Sequence, residues 1–265
     1  MKSFSLYKFS TFFLLLLVSC DMDFRSEQEI IELINSKKDK LIFLSFWDGM
    51  DHQDFERVKK VETKNKNLVN GKFEFMLNST KKVPFSVNLS YDNHIELTYR
   101  DEHWLDYEGS GMFTPDMKNE ASIKGMEYER IIDVLIRTLN NQYELIKSNY
   151  EIKKSGFRNP DYYTYDYVWK SNKENTESYV VILDTYHSYF QPYSAFHRDK
   201  EKKRDKIASC RLTITYMSSE NYAEQLKRNQ EYKKEKEKEK LDERKREMKK
   251  IKDNLKKIDE NREKL

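Results

Sequence analysis

Apolar residues fall on every second position in three successive stretches of this chain: Phe73, Phe75 and Leu77, then Val83, Phe85, Val87, Leu89 and Tyr91, then Ile95, Leu97 and Tyr99. A period of two sends alternate side chains to opposite sides of a strand, so each stretch must bury one face and leave the other wet. Polar breaks at Asn78 to Lys82 and at Asp92-Asn93 separate the three. Such short breaks close hairpins and are too short for parallel crossovers, so the pattern predicts an antiparallel meander.

Helix signals flank it. Ser26 and Glu29 have the spacing of a capping box, and Ile30, Ile31, Leu33 and Ile34 give the following residues an apolar face, predicting a short helix that ends near Asn35. Leu41 to Trp47 reads as a buried strand or a hydrophobic edge. Asp51 and Asp54 then open a helix through about Glu62, with Phe55 and Val58 on one side. Residues 101 to 122 show no period and read as loop. Beyond them Tyr128, Ile131, Ile132, Leu135, Leu139, Tyr143 and Ile146 recur at helical spacing, predicting a helix from Glu127 to Ile146.

Strand patterns return after that helix. Tyr163, Tyr165, Tyr167 and Trp169 alternate, Tyr179 to Leu183 is β-branched and apolar, and Ala208, Cys210, Leu212, Ile214 and Tyr216 face opposite to Ser209, Arg211 and Thr213. Helix followed by meander therefore occurs twice. The expected fold class is α+β: two helix-plus-antiparallel-meander units, 41–110 and 121–217, within a body spanning 41–217, after an anchor and short helix at 20–40. Eighteen tyrosines against six glycines and four prolines suit packed strands rather than a disordered stalk.

Residues 218–265 differ in kind. From Tyr222 the chain is free of Gly and Pro and rich in Lys, Glu, Arg and Leu, which predicts a continuous helix through much of 222–262. Strict Lys/Glu alternation from Lys234 to Lys240 leaves no apolar stripe, so that half is expected to be solvated. From 241 a heptad emerges, with Leu241, Met248 and Leu255 at a and Ile251, Ile258 and Leu265 at d, interrupted by Arg244 and Arg262. A coiled-coil seam, a helix lying back on its own body and a solvated tail would each use these residues. The candidate association seam is Leu241, Met248, Ile251, Leu255 and Ile258, for a second copy or another protein. Residues 225–265 hold 17 Lys/Arg and 11 Asp/Glu, a net of +6, and the rest of the chain is net −3. The overall +3 gives no support for a nucleic-acid partner.

At the other end, Lys2 and Lys8 flank a short polar start, Phe12 to Val18 is continuously apolar and Ser19 is small, the three-part layout of a secretory signal. The run is too short for a bilayer, which needs about 20 apolar residues. Leu17-Val18-Ser19-Cys20 resembles the lipobox of bacterial lipoproteins. The resemblance implies that residues 1–19 are removed and that Cys20 becomes the lipid-attachment residue, with thioether-linked and amide-linked acyl chains holding the protein to a membrane of the bacterial cell envelope. More than one chain is what lasting anchorage requires, at about 0.8 kcal/mol per buried methylene. The other reading is an ordinary secretory signal with an incidental cysteine. In some Gram-negative bacteria Asp21 would imply inner-membrane retention, in others an acidic cluster accompanies surface export, so the resemblance leaves the leaflet open.

Lipidation of Cys20 would leave Cys210 as the only thiol, with no intramolecular disulfide. Its place on an apolar strand face marks it as a small buried hydrophobe. His52, His94, His103, His187 and His197 are scattered; Asp51-His52 with Asp54, and Asp101-Glu102-His103, group ligand types without metal spacing, so neither metal nor cofactor is expected. "LIFLSFWDGM", Leu41 to Met50, resembles the strand before a thioredoxin active site, but no cysteine follows Trp47. The segment from Tyr186 to His197 carries Tyr186, Tyr189, Phe190, Tyr193 and Phe196, a candidate binding surface or a cover over the core. The leading expectation is a non-catalytic binding or interaction module. Its alternatives are an enzyme acting on an envelope polymer through the two acid/His clusters, and an immunity or inhibitor protein.

Replacing Cys20 by Ser should abolish incorporation of labelled palmitate and release the protein from the membrane fraction. Unchanged palmitate labelling would overturn the lipoprotein reading.

Overall fold

The computed structural model describes residues 26–106, 115–153, 162–171, 178–189, 198–199 and 204–262. Cys20 and the signal residues lie outside this set, as do Phe190, Tyr193 and Phe196. The fold is α+β, a seven-stranded antiparallel sheet with helices on one face and a long C-terminal helix.

The chain enters through α1 (Glu27–Ser36), whose capping box forms as expected: Glu29 N donates to Ser26 Oγ and Ser26 N donates to the Glu29 carboxylate. After a 3-10 turn at Lys38–Lys40, strands β1 (Leu41–Phe43) and β2 (Phe46–Trp47) make a separate two-stranded hairpin. Leu44 takes φ 48 at its turn. Ile42, Phe46 and Trp47 are buried, and Phe43 packs against Phe73 and Tyr216 of the main sheet. Helix α2 (His52–Lys64) is capped by Asp51, which accepts from Asp54 N at 2.8 Å. It buries Phe55, Val58 and Val61, and Lys59 Nζ donates to the Val87 carbonyl in the sheet below.

The predicted meander is β3 (Lys72–Met76), β4 (Lys82–Leu89) and β5 (Ile95–Asp106). Helix α3 (Pro115–Gln142) crosses the sheet, and β6 (Glu144–Lys153), β7 (Tyr162–Lys170) and β8 (Tyr179–Tyr189) form a second meander. A two-residue strand β9 (Arg198–Asp199) pairs with the start of β10 (Arg204–Ser218). The order across the sheet is β3-β4-β5-β10-β8-β7-β6, so β10 lies between the two meanders and joins them. The side chains facing the helices, among them Phe85, Ile95, Leu97, Leu183, Leu212 and Trp169, belong with Tyr128, Ile131, Ile132 and Leu135 of α3 to one continuous cluster. Each large side chain buried there contributes about 1.5–3 kcal/mol. Cys210 is in it, 1% exposed, with its thiol pushed well up by burial and by Asp101.

Three expectations are corrected. Residues 101–122 were expected to be loop, but among the described residues 101–106 continue β5 and 115–122 open α3. The period was hidden because the core-side positions of β5 are Asp101, paired with Tyr128 Oη at 3.1 Å, and His103, paired with Glu120 at 2.9 Å. Nor does α3 reach Ile146; it ends at Gln142, and 144–153 is an edge strand hydrogen-bonded to β7. Tyr91, read as the end of a strand pattern, lies beyond β4 and is fully exposed.

His187 on β8 is completely buried among stacked rings, 5.0 Å from Tyr163 and 5.9 Å from Tyr165. Burial lowers its pKa from 6.5 to about 4. The unfolded chain therefore takes up a proton that the folded chain refuses, and this contribution, complete above pH 6.5, is lost as pH falls towards 4. Denaturant unfolding should show stability dropping by about 3 kcal/mol across that window. His187→Phe, which keeps the stacking and cannot protonate, should flatten the slope; an unchanged slope would contradict the assignment.

Candidate functional site

With the helices on one side of the sheet, the other side is open along its central strands. Its residues are the second set of every alternating pattern, and the registers place them in rows. One row runs Ser86, Thr98, Thr213, Asp184, Asp166; the next runs Arg100, Arg211, Tyr186, Thr164. Two cavities hollow this face. One of about 550 Å³ is lined by Glu96, Ile182, Asp184, Tyr186, Arg211, Thr213 and Thr215, with Ser90, Tyr91, Asp92 and His94 from the β4–β5 turn at its lip. The other, about 440 Å³, is lined by Lys72, Pro84, Ser86, Asn88, Thr98 and Arg100. Glu96 and Arg211 line both, so the two form one trough.

The trough is closed at one end by the start of α4 (Ser219–Arg262), which contributes Gln225. Tyr222 packs there against the small buried cluster of Val168, Val180 and Met217. The junction is fastened by Asp48, from the loop after β2. One carboxylate oxygen of Asp48 is 2.9 Å from His94 Nδ1; the other accepts from Ser218 N at 2.7 Å and Asn221 Nδ2 at 2.6 Å. Burial alone would raise the Asp48 pKa, but the hydrogen bonds from His94 and Ser218 hold it below the usual carboxylate value. The loop, the turn and the helix start are thereby tied at one point.

Charge is divided along the trough. On the β7–β8 side, Asp184 faces Asp166 across the strands, and Lys147 of β6 pairs with Asp166. Desolvation and the neighbouring Asp166 raise the Asp184 pKa, with Lys147 and Arg211 acting against them. Asp184 stays open to solvent, which limits that effect. On the β3–β5 side stand Lys72 and Arg100, with Arg211 on the central strand β10 between the two sides.

The acid/His clusters take other positions. Asp51 caps α2, Asp54 pairs with Arg57, and His52 is exposed at the helix start. Asp101 and His103 point to the helix side of β5 and pair with α3, whereas Glu102 lies on the opposite face. His197 lies outside the described residues; among those described, no three His, Cys, Asp or Glu side chains group as metal ligands. Tyr186 lines the larger cavity at 39% exposure, and Tyr189 is the last residue of β8. Leu241, Met248 and Ile251 of the heptad are exposed at 52%, 58% and 54%, and Leu255 and Ile258 continue the same helix. No described helix is long and apolar enough to cross a membrane. The trough itself was not singled out from sequence; its only signal was the polar set opposite each apolar set, such as Ser209, Arg211 and Thr213. Compared with protein-family models, curated proteins and solved structures, the chain has no match.

Asp48→Ala should lower stability by about 2–3 kcal/mol, since it leaves Ser218 N–H, the Asn221 amide and His94 without their acceptor in a half-buried site. Denaturant unfolding measures this; a loss under about 0.5 kcal/mol would show the knot to be dispensable.

Proposed function

We propose that the protein is a membrane-anchored envelope lipoprotein whose α+β body is a non-catalytic binding module and whose C-terminal helix joins two copies. The observation that carries this reading is the exit of α4. It leaves the body after Tyr222 and runs on exposed, with Leu241, Met248 and Ile251 on one seam facing water. Its 44 residues span about 66 Å. A helix of this composition gains nothing from water along that seam, whereas burying a and d positions against a second helix is favourable.

The partner is a second copy, with the helices parallel. In that arrangement Glu247 at g faces Lys252 at e of the other helix, an attractive pair made twice. Lipidation at Cys20 would place both copies in one membrane with their helices leaving in the same direction. Arg244 and Arg262 in core positions keep the pairing marginal, which suits an association set by local concentration on a surface.

On the unlipidated chain from Asp21, sedimentation should show a concentration-dependent monomer–oligomer equilibrium. Replacing Ile251 and Leu255 by Lys should give a monomer whose body melts at the same temperature, because buried unpaired charge abolishes a marginal coiled coil. A wild type that stays monomeric at high concentration would overturn the pairing.

A further inference from the structure

Arg100 and Arg211 are direct cross-strand neighbours on the open face, one on β5 and one on β10. Opposed residues on adjacent strands lie about 5 Å apart, and like charges so placed are destabilising. Neither guanidinium has an ion pair or a side-chain hydrogen bond among the described residues, and neither does Lys72, which lines the same 440 Å³ cavity. Against these three cations the lining of this cavity holds a single carboxylate, Glu96, while Asp184 in the adjoining cavity acts on Arg211 from outside hydrogen-bond range. The remaining wall is hydroxyl and amide: Ser86, Thr98 and Asn88, with Asn88 Nδ2 held against Thr98 Oγ1 at 2.6 Å.

We infer that this cavity binds a phosphate-bearing polyol, a sugar phosphate or glycerol phosphate group; the inference rests on the body's being a binding module and names its ligand. Two guanidinium forks on neighbouring strands, with an ammonium beside them, supply enough donors for the three free oxygens of a phosphate, more than the two oxygens of a carboxylate can use. The excess charge of the lining, two positive, matches the roughly −1.5 to −2 of a phosphate monoester at neutral pH. A cavity of this volume leaves room beyond the phosphate for a hydroxylated residue, and Ser86, Thr98 and Asn88 are positioned to hydrogen-bond it. The bound anion also removes the cost of setting Arg100 against Arg211.

The test uses the mature lipoprotein in uncharged detergent. Calorimetric titration with glycerol 3-phosphate should show saturable binding, and phosphate buffer should raise Tm above sodium chloride at the same ionic strength. Arg100→Gln and Arg211→Gln should each weaken binding at least tenfold and remove the phosphate-specific rise in Tm. Without phosphate, each variant should melt no lower than the wild type, since a like-charge contact is gone. With the unlipidated chain from Asp21, which has no acyl anchor of its own, binding to phosphatidylglycerol vesicles but not phosphatidylcholine vesicles, lost in both variants, would identify a lipid headgroup as the source; binding of glycerol 3-phosphate without vesicle binding would identify a soluble or polymeric phosphate. No binding of either, or binding undiminished in both variants, overturns the inference. The self-association reading is tested separately, because sedimentation through α4 does not involve Arg100 or Arg211.

Discussion

The double pairing of β10 is the constraint on which the rest of this molecule depends. Its fifteen residues hydrogen-bond to β5 on one side and β8 on the other, so the last strand in sequence is the middle strand in space. Without it the two meanders would each present an unpaired edge at β5 and β8, and the cluster under α3 would be cut in half. Every level above inherits that placement. Leu212 and Ile214 lie in the core, Arg211 and Thr213 on the trough floor, and Ser218 hands the chain directly to α4. A pairing formed between residues about a hundred positions apart closes late and at an entropic cost, so it must be well specified. A register slip by one residue would exchange Leu212 and Ile214 for Arg211 and Thr213 in the core.

What β10 does for the sheet, Asp48 does for the helix that follows. A helix N-terminus carries backbone donors without internal partners; here Asn221 N–H donates to Ser218 Oγ, while Ser218 N–H and the Asn221 side-chain amide donate to Asp48, about 170 positions earlier. The same carboxylate meets His94 at the lip of the trough. The orientation of α4 is thus fixed by a long-range polar contact together with Tyr222 packing on Val168, Val180 and Met217. The solvated remainder is held only by helix propensity and by local pairs such as Arg228 with Glu224.

How far the sequence revealed this depended on whether a residue's environment could be inferred from its neighbours. The meander from Phe73 to Tyr99 was legible because burial on one face imposes alternation, and the caps at Ser26 and Asp51 because their partners lie three residues away. Residues 101–106 were not legible, since Asp101 and His103 fill core-side positions and are satisfied only by Tyr128 and Glu120 on α3. The first turns of α3 leave Ile123 and Met126 exposed and so show no stripe. Strand β6 was taken for helix because Tyr143 and Ile146 continue a helical interval. As an edge strand it has Leu145, Ile146, Tyr150 and Ile152 all partly in water, and no face imposes a period on it.

The trough was invisible for a further reason, one that bears on the proposed phosphate site. Lys72, Arg100 and Arg211 come from three strands, and each alone is an ordinary residue on a wet face. Only the sheet order turns them into a cluster, with Asp184 on the strand next to Arg211 and Asp166 one strand further. Net charge hides this separation, because a body near neutrality can still hold a positive pocket beside a negative one. Lys147 and Asp166 are close enough to pair at the edge, whereas Arg211 and Asp184 act on each other only at longer range. Keeping Arg100 next to Arg211 instead forgoes that pairing and sets like charges side by side. That arrangement costs stability in the free protein, which Glu96 and Asp184 counter in part, and an anion between the two guanidinium groups would offset it, which is the ground of the proposed phosphate site.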